Sequence, residues 1–217
     1  MTYNFTPKQL QDITDNFGQT FADALPVRLH GYAQQWRLSQ FIFIEYYSVN
    51  CLFICRSELH GNCVLKIFGG EFKWYIGEIR ALREFGGNCG YVRAFECDEK
   101  NGALLLEQIV PGTVLKAEPP NIRLSVFADV FKHAHTVPNN AALYLSYLAT
   151  VRQAAEIQSE DCRFPDLRRV SRRMEEECKY LYDKYSERLL LHGDLHGDNL
   201  LKNACGGYVI VDPHARI

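Results

Sequence analysis

The feature that most constrains the fold is a change in sequence periodicity near residue 112. Before it, short segments rich in β-branched and aromatic residues are separated by turn signals. After Pro111-Gly112 and Pro119-Pro120, apolar residues recur at helical spacing instead. This order predicts an α+β fold with a β-rich part (1–111) and a mainly helical part (112–217). The predicted strands are 41–47, 49–56, 62–68, 91–97 and 103–109, and after residue 112 helices 122–135, 141–158 and 165–188 are joined by short strands 189–191, 200–202 and 208–211.

Two helices are predicted within the β-rich part. Thr6-Pro7-Lys8-Gln9 has a capping residue, a proline at the first helical position and a glutamine three residues after the cap. A second helix over 71–85 ends at Gly86-Gly87, which is a helix C-terminal signal. The first helix is expected to dock through a stripe formed by Leu10, Ile13, Phe17 and Phe21.

The composition excludes several classes of protein. The 217 residues carry 24 basic and 26 acidic side chains, a formal charge of -2, so neither nucleic acid nor an anionic membrane is an expected partner. No apolar run approaches the ~20 residues that cross a bilayer. The eight cysteines form no CxxC pair and sit mostly in apolar runs, which is typical of reduced thiols and predicts a cytoplasmic protein.

The residues most suggestive of chemistry lie between 192 and 212. His192-Gly-Asp-Leu-His-Gly-Asp-Asn199 places Asp194 and Asn199 five residues apart on a loop between two short strands, and the strand Tyr208-Val-Ile-Val211 delivers Asp212 to its end. Phosphoryl transfer needs a group that takes the acceptor's proton and oxygen ligands for Mg²⁺. It also needs a cation for the phosphates, which Lys66 in a predicted strand supplies, with Glu78 on the next helix as its partner.

Each of these residues also has a purely structural interpretation. His192 and Asp194 form a hydrogen-bonded loop pair, Lys66 a snorkelling edge residue, Glu78 a surface acid and Asp212 a turn residue before Pro213. The functional interpretation is favoured because the elements follow the order that a kinase uses. The charges of helix 165–188 are interpreted as a solvated face. A zinc site from His192, His196, Cys205 and His214 fits no common ligand spacing.

At this point the sequence resembles the aminoglycoside/hydroxyurea phosphotransferase family, in particular the branch with the streptomycin 6-kinases. The resemblance covers residues 40–217, and its strongest stretches are Val64-Leu-Lys-Ile67, Glu78-Ile-Arg-Ala-Leu82, Gly102-Ala-Leu-Leu-Leu-Glu-Gln108, Leu191-His-Gly-Asp-Leu-His196 with Asn199, and Ile210-Val-Asp-Pro213. It implies a protein-kinase-like bilobal fold, with ATP bound between a β-rich N-lobe and a helical C-lobe.

The resemblance also implies residue roles. Asp194 is the expected catalytic base, Asn199 and Asp212 are the expected Mg²⁺ ligands, and Lys66 with Glu78 contacts the ATP phosphates. The segment Glu107, Gln108 and Ile109 is the expected hinge that contacts adenine. No glycine-rich loop precedes Lys66, so Ser48 and Asn50 are the candidates for the phosphate-facing turn.

Several outcomes for function stay open. The expected activity is transfer of phosphate from ATP to a hydroxyl of a small polar acceptor, with an aminoglycoside such as streptomycin, or hydroxyurea, as the leading acceptor. The alternatives are a nucleotide-binding protein without transfer activity, and a kinase for another small alcohol such as choline or a sugar. Family members continue past the position of Ile217 with helices that wall the acceptor pocket. The C-lobe is therefore expected to be incomplete, and self-association would cover it.

Overall fold

A five-stranded antiparallel sheet dominates the first half of the chain. The computed structural model describes residues 3–46, 49–69, 75–86, 90–160 and 165–217, without the side chains of 157–160 and 165. The strand order is β1-β2-β3-β5-β4. The five predicted strands are confirmed, with bounds displaced by up to three residues: β1 (Leu38–Ile44), β2 (Asn50–Ser57), β3 (Gly61–Phe68), β4 (Ala94–Asp98) and β5 (Ala103–Glu107).

Two helices, rather than the single predicted one, precede the sheet. Helix α1 (Pro7–Phe17) begins with the predicted capping box, in which Thr6 and Gln9 bond reciprocally. Gly18 then adopts a φ of 83° that interrupts the helix, and α2 (Gln19–Gln35) follows. The prediction of a continuous stripe to Phe21 was therefore wrong. The sequence analysis missed α2, which contains Pro26 in its interior.

The pleat of the sheet separates two hydrophobic cores. On β3, Leu65 and Ile67 pack into the core that contains α1 and α2. The intervening Lys66 lies opposite Leu104 of β5, whose side chain belongs to the other core, with Ile79 of helix α3 (Tyr75–Phe85). Successive side chains of a strand face opposite sides. Lys66 therefore lies on the α3 side of the sheet.

The described residues of the second half include three larger helices and two small sheets. The helices are α4 (Pro120–Phe131), α5 (Tyr147–Glu160) and α6 (Pro165–Lys184). The sheets are β10-β9-β6 and β7-β8. Their strands are β6 (Pro111–Val114), β7 (His135–Thr136), β8 (Leu190–Leu191), β9 (Leu200–Asn203) and β10 (Tyr208–Ile210).

Three local predictions in this half were wrong. Pro111 begins β6, which pairs with β9, whereas the sequence indicated only a break. The predicted helix from residue 141 is a 3-10 turn over Ala141–Leu143, capped by the Asn140 side chain, and α5 begins at Tyr147. Helix α4 ends at Phe131, so His135 lies on β7.

The helices also bear on membrane association. No helix within the described ranges is both long and apolar enough to cross a membrane. The α+β fold class is confirmed. The division of the chain at residues 111 and 112 stays a prediction.

Candidate active site

Lys66 joins the two halves of the molecule. Its Nζ donates to Glu78 Oε1 at 2.9 Å and Oε2 at 2.8 Å, and to Asp212 Oδ1 at 2.6 Å. The pleat of β3 directs Lys66 toward α3, on whose first turn Glu78 lies. Both side chains are buried. The predicted pair of Lys66 with Glu78 is thus formed, and Asp212 joins it from the end of β10.

These three groups contain two carboxylates for one ammonium. Burial, together with repulsion from the Asp212 carboxylate, raises the pKa of Glu78 to about 8, although attraction to Lys66 acts in the opposite direction. Burial also acts against ionised Asp212, but Lys66 outweighs it and holds the pKa of Asp212 below its usual value. Burial would lower the pKa of Lys66, and the two carboxylates outweigh it and raise that pKa. With both carboxylates ionised, the group has a surplus negative charge that an added cation would neutralise.

The conformation of the loop after β8 depends on His192, which is buried. Its Nδ1 accepts the backbone N–H of Asp194 at 3.2 Å, so Nε2 carries the proton and donates to the Val211 carbonyl at 2.8 Å. Burial lowers the pKa of His192, which is therefore a neutral imidazole. It ties the loop that carries Asp194 to the strand end that carries Asp212.

Asp194 and Asn199 lie on one tight loop. Asn199 is buried, and its Nδ2 donates to the Asp194 backbone carbonyl at 2.9 Å. Its own backbone carbonyl accepts the N–H of Val211 at 3.0 Å, which places Asn199 beside the residue that precedes Asp212. The Asp194 carboxylate is about half exposed, and its Oδ2 lies 3.5 Å from His196 Nε2 and 3.8 Å from His214 Nε2.

The segment 212–217 folds back along this loop. The N–H groups of His214 and Ala215 both donate to the His192 carbonyl, at 2.7 and 3.0 Å. Gly193 has a φ of 84°, and a Cβ there would lie 2.8 Å from Arg216 Cγ, so this position favours glycine sterically and conformationally. Arg216 is buried, and its Nε donates to Thr150 Oγ1 of α5 at 3.2 Å. The segment therefore packs the loop that carries Asp194 against α5.

Sequence reasoning missed the surroundings of Asp194. His196 and His214 had been weighed only as zinc ligands, and Arg216 was not considered. No group of three or more histidine, cysteine, aspartate or glutamate side chains forms a metal centre in the part of the chain that the structure describes. No local sequence signal marked Arg216 as buried, because its acceptors are Thr150 and backbone carbonyls.

The remaining nucleotide candidates lie at the two ends of the sheet. Asn50 is buried at the start of β2, opposite Phe68 of β3, near the end where Lys66 lies. Glu107 ends β5, opposite Cys63, and it donates its N–H to Arg93 at 2.9 Å. The Gln108 N–H is 3.4 Å from the Asn62 carbonyl, whereas no such bond is recorded for Ile109 within the described residues. Ser48 lies outside the described residues.

The donor set can be compared with the needs of a magnesium ion. Mg²⁺ in nucleotide sites is usually held by one or two protein carboxylates together with phosphates and waters, not by a dedicated protein cage. Asp212 supplies a carboxylate beside Lys66, and Asn199, whose backbone carbonyl accepts the N–H of Val211, supplies an amide oxygen. Since Asn199 uses its Nδ2 within the loop, its oxygen is the acceptor that remains. These residues fit an ion that binds together with a nucleotide.

Fold comparison assigns the chain to the protein-kinase-like fold that small-molecule kinases share. Solved structures with this fold include the choline kinase LicA from Streptococcus pneumoniae, with a TM-score of 0.62, 14% identity and coverage of 89% of this chain and 70% of that one. An ethanolamine kinase from Plasmodium vivax matches with a TM-score of 0.60, 15% identity and coverage of 99% and 70%.

A thermostable mutant of the aminoglycoside phosphotransferase APH(4)-Ia, in a ternary complex with ADP and hygromycin B, gives a TM-score of 0.56, 12% identity and coverage of 85% and 70%. The chain therefore spans about 70% of the length of each of these three structures. No protein-family model and no curated protein matches the sequence. At these identities the matches establish the fold, and the predicted protein-kinase-like fold is confirmed.

Proposed function

We propose that the chain is an ATP- and Mg²⁺-dependent phosphotransferase that acts on a hydroxyl group of a small polar molecule. The observation that supports this most strongly is the contact of Lys66 Nζ with both Glu78 and Asp212. It unites a strand lysine, a helix glutamate and a strand-end aspartate from distant parts of the sequence. A buried ion cluster is costly for a fold to maintain. Phosphoryl transfer gives all three groups a use.

Each proposed role follows from the position of the side chain. Asp194 takes the proton of the acceptor hydroxyl, since its carboxylate is accessible and no lysine or arginine pairs with it among the described residues, whereas Asp198 pairs with Lys116. Neutral His192 holds that loop in place through its two hydrogen bonds. Lys66 binds the non-transferred phosphates. Asn199 and Asp212 would hold Mg²⁺, which when bound neutralises charge on the phosphates.

The nucleotide base is proposed to lie against the segment Glu107, Gln108 and Ile109. Within it, Glu107 and Gln108 already donate their N–H groups inside the protein. This leaves the backbone of Ile109 for the base. Asn50 lies at the opposite end of the sheet, near Lys66, and is proposed to contact the phosphates.

The acceptor is proposed to be an alcohol that also carries an amine, with an aminoglycoside such as streptomycin as the leading case. The structural neighbours named for choline, ethanolamine and hygromycin B support this class, since all three compounds combine a hydroxyl with a nitrogen cation. Choline and ethanolamine are therefore the second candidates. Hydroxyurea, the other acceptor named in the resembling family, belongs in the same panel.

The test is transfer of the γ-phosphate of ATP to this panel in the presence of Mg²⁺, with wild type compared with Asp194→Asn. We expect the substitution to lower kcat at least about 100-fold, since it removes a proton acceptor. Asp198→Asn is the matched control, because Asp198 is a carboxylate of similar exposure on the same loop that pairs with Lys116 at 3.0 Å. Equal turnover by wild type and Asp194→Asn would contradict the role of Asp194.

A nucleotide-binding protein without transfer activity is the rival from a different class. It predicts that Mg-ATP raises the melting temperature while no acceptor in the panel is phosphorylated. The absence of any stabilisation by Mg-ATP would contradict both functions. Melting curves and turnover therefore need to be measured on the same preparation.

A further inference from the structure

Helix α6 exposes an unusual amount of apolar surface. One face packs against α5, with Ser171 buried and Glu175 Oε1 accepting from Arg152 Nε at 3.2 Å. A neighbouring face carries large apolar side chains that are each 43–57% exposed. We call this face the α6 stripe, and it consists of Leu167, Val170, Met174 and Leu181, continued by Tyr185 directly after the helix. Such a contiguous patch is typical of an interaction surface.

Four charged residues border the α6 stripe on the side away from α5. They are Asp166, Arg173, Glu177 and Lys184, which form two pairs with heptad spacing, 166 with 173 and 177 with 184. Residues seven apart lie on nearly the same side of an α-helix. Arg173 and Glu177 are four residues apart, yet no ion pair of either one is recorded among the described residues.

This order of charges complements itself under two-fold symmetry. Consider an antiparallel pair of α6 helices whose two-fold axis passes beside Glu175. Residues equally far from Glu175 along the chain, on either side of it, then lie opposite each other. Arg173, two residues before Glu175, therefore lies opposite Glu177 of the second copy, two residues after it. Asp166 lies opposite Lys184 of the second copy, nine residues on either side. The two-fold axis generates each pair twice, and every pair joins opposite charges.

We propose that the chain self-associates through an antiparallel pairing of α6 with α6 of a second copy. The α6 stripe lies at the centre of this interface, and the bordering charges set its direction and register. A parallel two-fold pair would place the charged borders of the two copies on opposite sides of the interface, so these charges would not meet and would not favour that arrangement. The 20 residues of α6 extend over ~30 Å, which lets the whole stripe take part.

The experiment is sedimentation velocity on the 217-residue chain over a range of concentrations, with wild type, Arg173→Glu and Glu177→Arg measured separately and mixed. Wild type is expected to form a dimer. Each single substitution places like charges together twice, so we expect at least about tenfold weaker dimerisation. In the mixture, one chain has two glutamates and the other two arginines at these positions, so a heterodimer is expected to recover the wild-type affinity.

Arg172→Glu is the matched control, because it makes the same change of charge on a side of α6 away from the stripe. It is expected to dimerise like wild type. Circular dichroism establishes that each variant remains folded. A monomeric wild type, a mixture that does not associate, or an equal loss in Arg172→Glu would overturn the proposal. Binding of another protein at α6 would appear as a wild-type chain that stays monomeric.

Discussion

Two regions of the molecule place side chains where they are usually not found. The cluster around Lys66 withdraws ionisable groups from solvent, whereas the exposed face of α6 leaves apolar groups in it. Around Lys66, ionisable groups are buried, as Lys66 and Glu78 are, or half-buried, as Asp212 is, and each has a partner within 2.9 Å. On α6, apolar groups are exposed and have charged neighbours on one side. The first arrangement persists only where precise geometry offsets the cost of desolvation. The second persists only where the surface remains open or acquires a partner.

Breaking the buried cluster should have the largest effect. Lys66→Met leaves Glu78 and Asp212 without their cation, so we expect a loss of about 3 kcal/mol in the free energy of unfolding and loss of phosphate transfer. Urea unfolding measures the stability. Lys116→Met is the matched control, since this lysine pairs with Asp198 at an exposed site, and it should change stability by less than about 0.5 kcal/mol.

A second substitution separates stability from function in that cluster. Lys66→Met combined with Glu78→Leu replaces the buried pair by apolar side chains, which should recover much of the lost stability. Activity should remain absent, because the phosphate contact has not returned. A Lys66→Met chain as stable as wild type would show that the cluster does not hold the two halves together.

Sequence order was enough to predict the pair of Lys66 with Glu78, whereas the contact of Lys66 with Asp212 was not predicted. Lys66 lies in an apolar strand, and Asp212 is equally suited to a turn before Pro213. Each was proposed as a site residue because the elements follow each other in the order that a kinase uses. The capping box of Thr6 and Gln9 was predictable for a simpler reason, since both partners are local.

What the sequence did not reveal depends on long-range contacts. Strand β6 begins at Pro111, which lacks a donor, and it is stabilised by pairing with β9 nearly ninety residues later. Arg216 is buried because Thr150 and two backbone carbonyls accept its donors. The α6 stripe was hidden by the charges that surround it, which favoured the interpretation of a solvated face. Only the exposed fractions of its side chains distinguish the two interpretations.

The buried side chain of His192 gives a test with a smaller expected effect, which is on the pH dependence of stability. Burial lowers the pKa of His192 in the folded chain below the usual 6.5 of the unfolded chain. At a pH between these two pKa values, the unfolded chain binds more protons than the folded chain. The stability that comes from burying neutral His192 is present above pH 6.5 and is lost as the pH falls through the pKa of the folded chain. Between pH 7 and 5, wild type should lose more stability than His192→Asn in urea unfolding. Parallel pH curves would contradict a neutral, buried His192.

The smallest effect on the unfolding free energy is expected for a substitution on α6. The dependence of this effect on protein concentration tests whether the exposed α6 stripe forms an interface. Val170 is 57% exposed, so Val170→Ser should change the unfolding free energy by less than about 0.5 kcal/mol where the chain is monomeric. At high concentration wild type should gain stability from dimerisation, whereas the variant should gain less. Leu104→Ala, at a fully buried position, should instead cost about 3 kcal/mol at every concentration. A Val170→Ser penalty that is large in dilute solution would mean that the α6 stripe stabilises the single chain, and the contrast with Lys66 would then disappear.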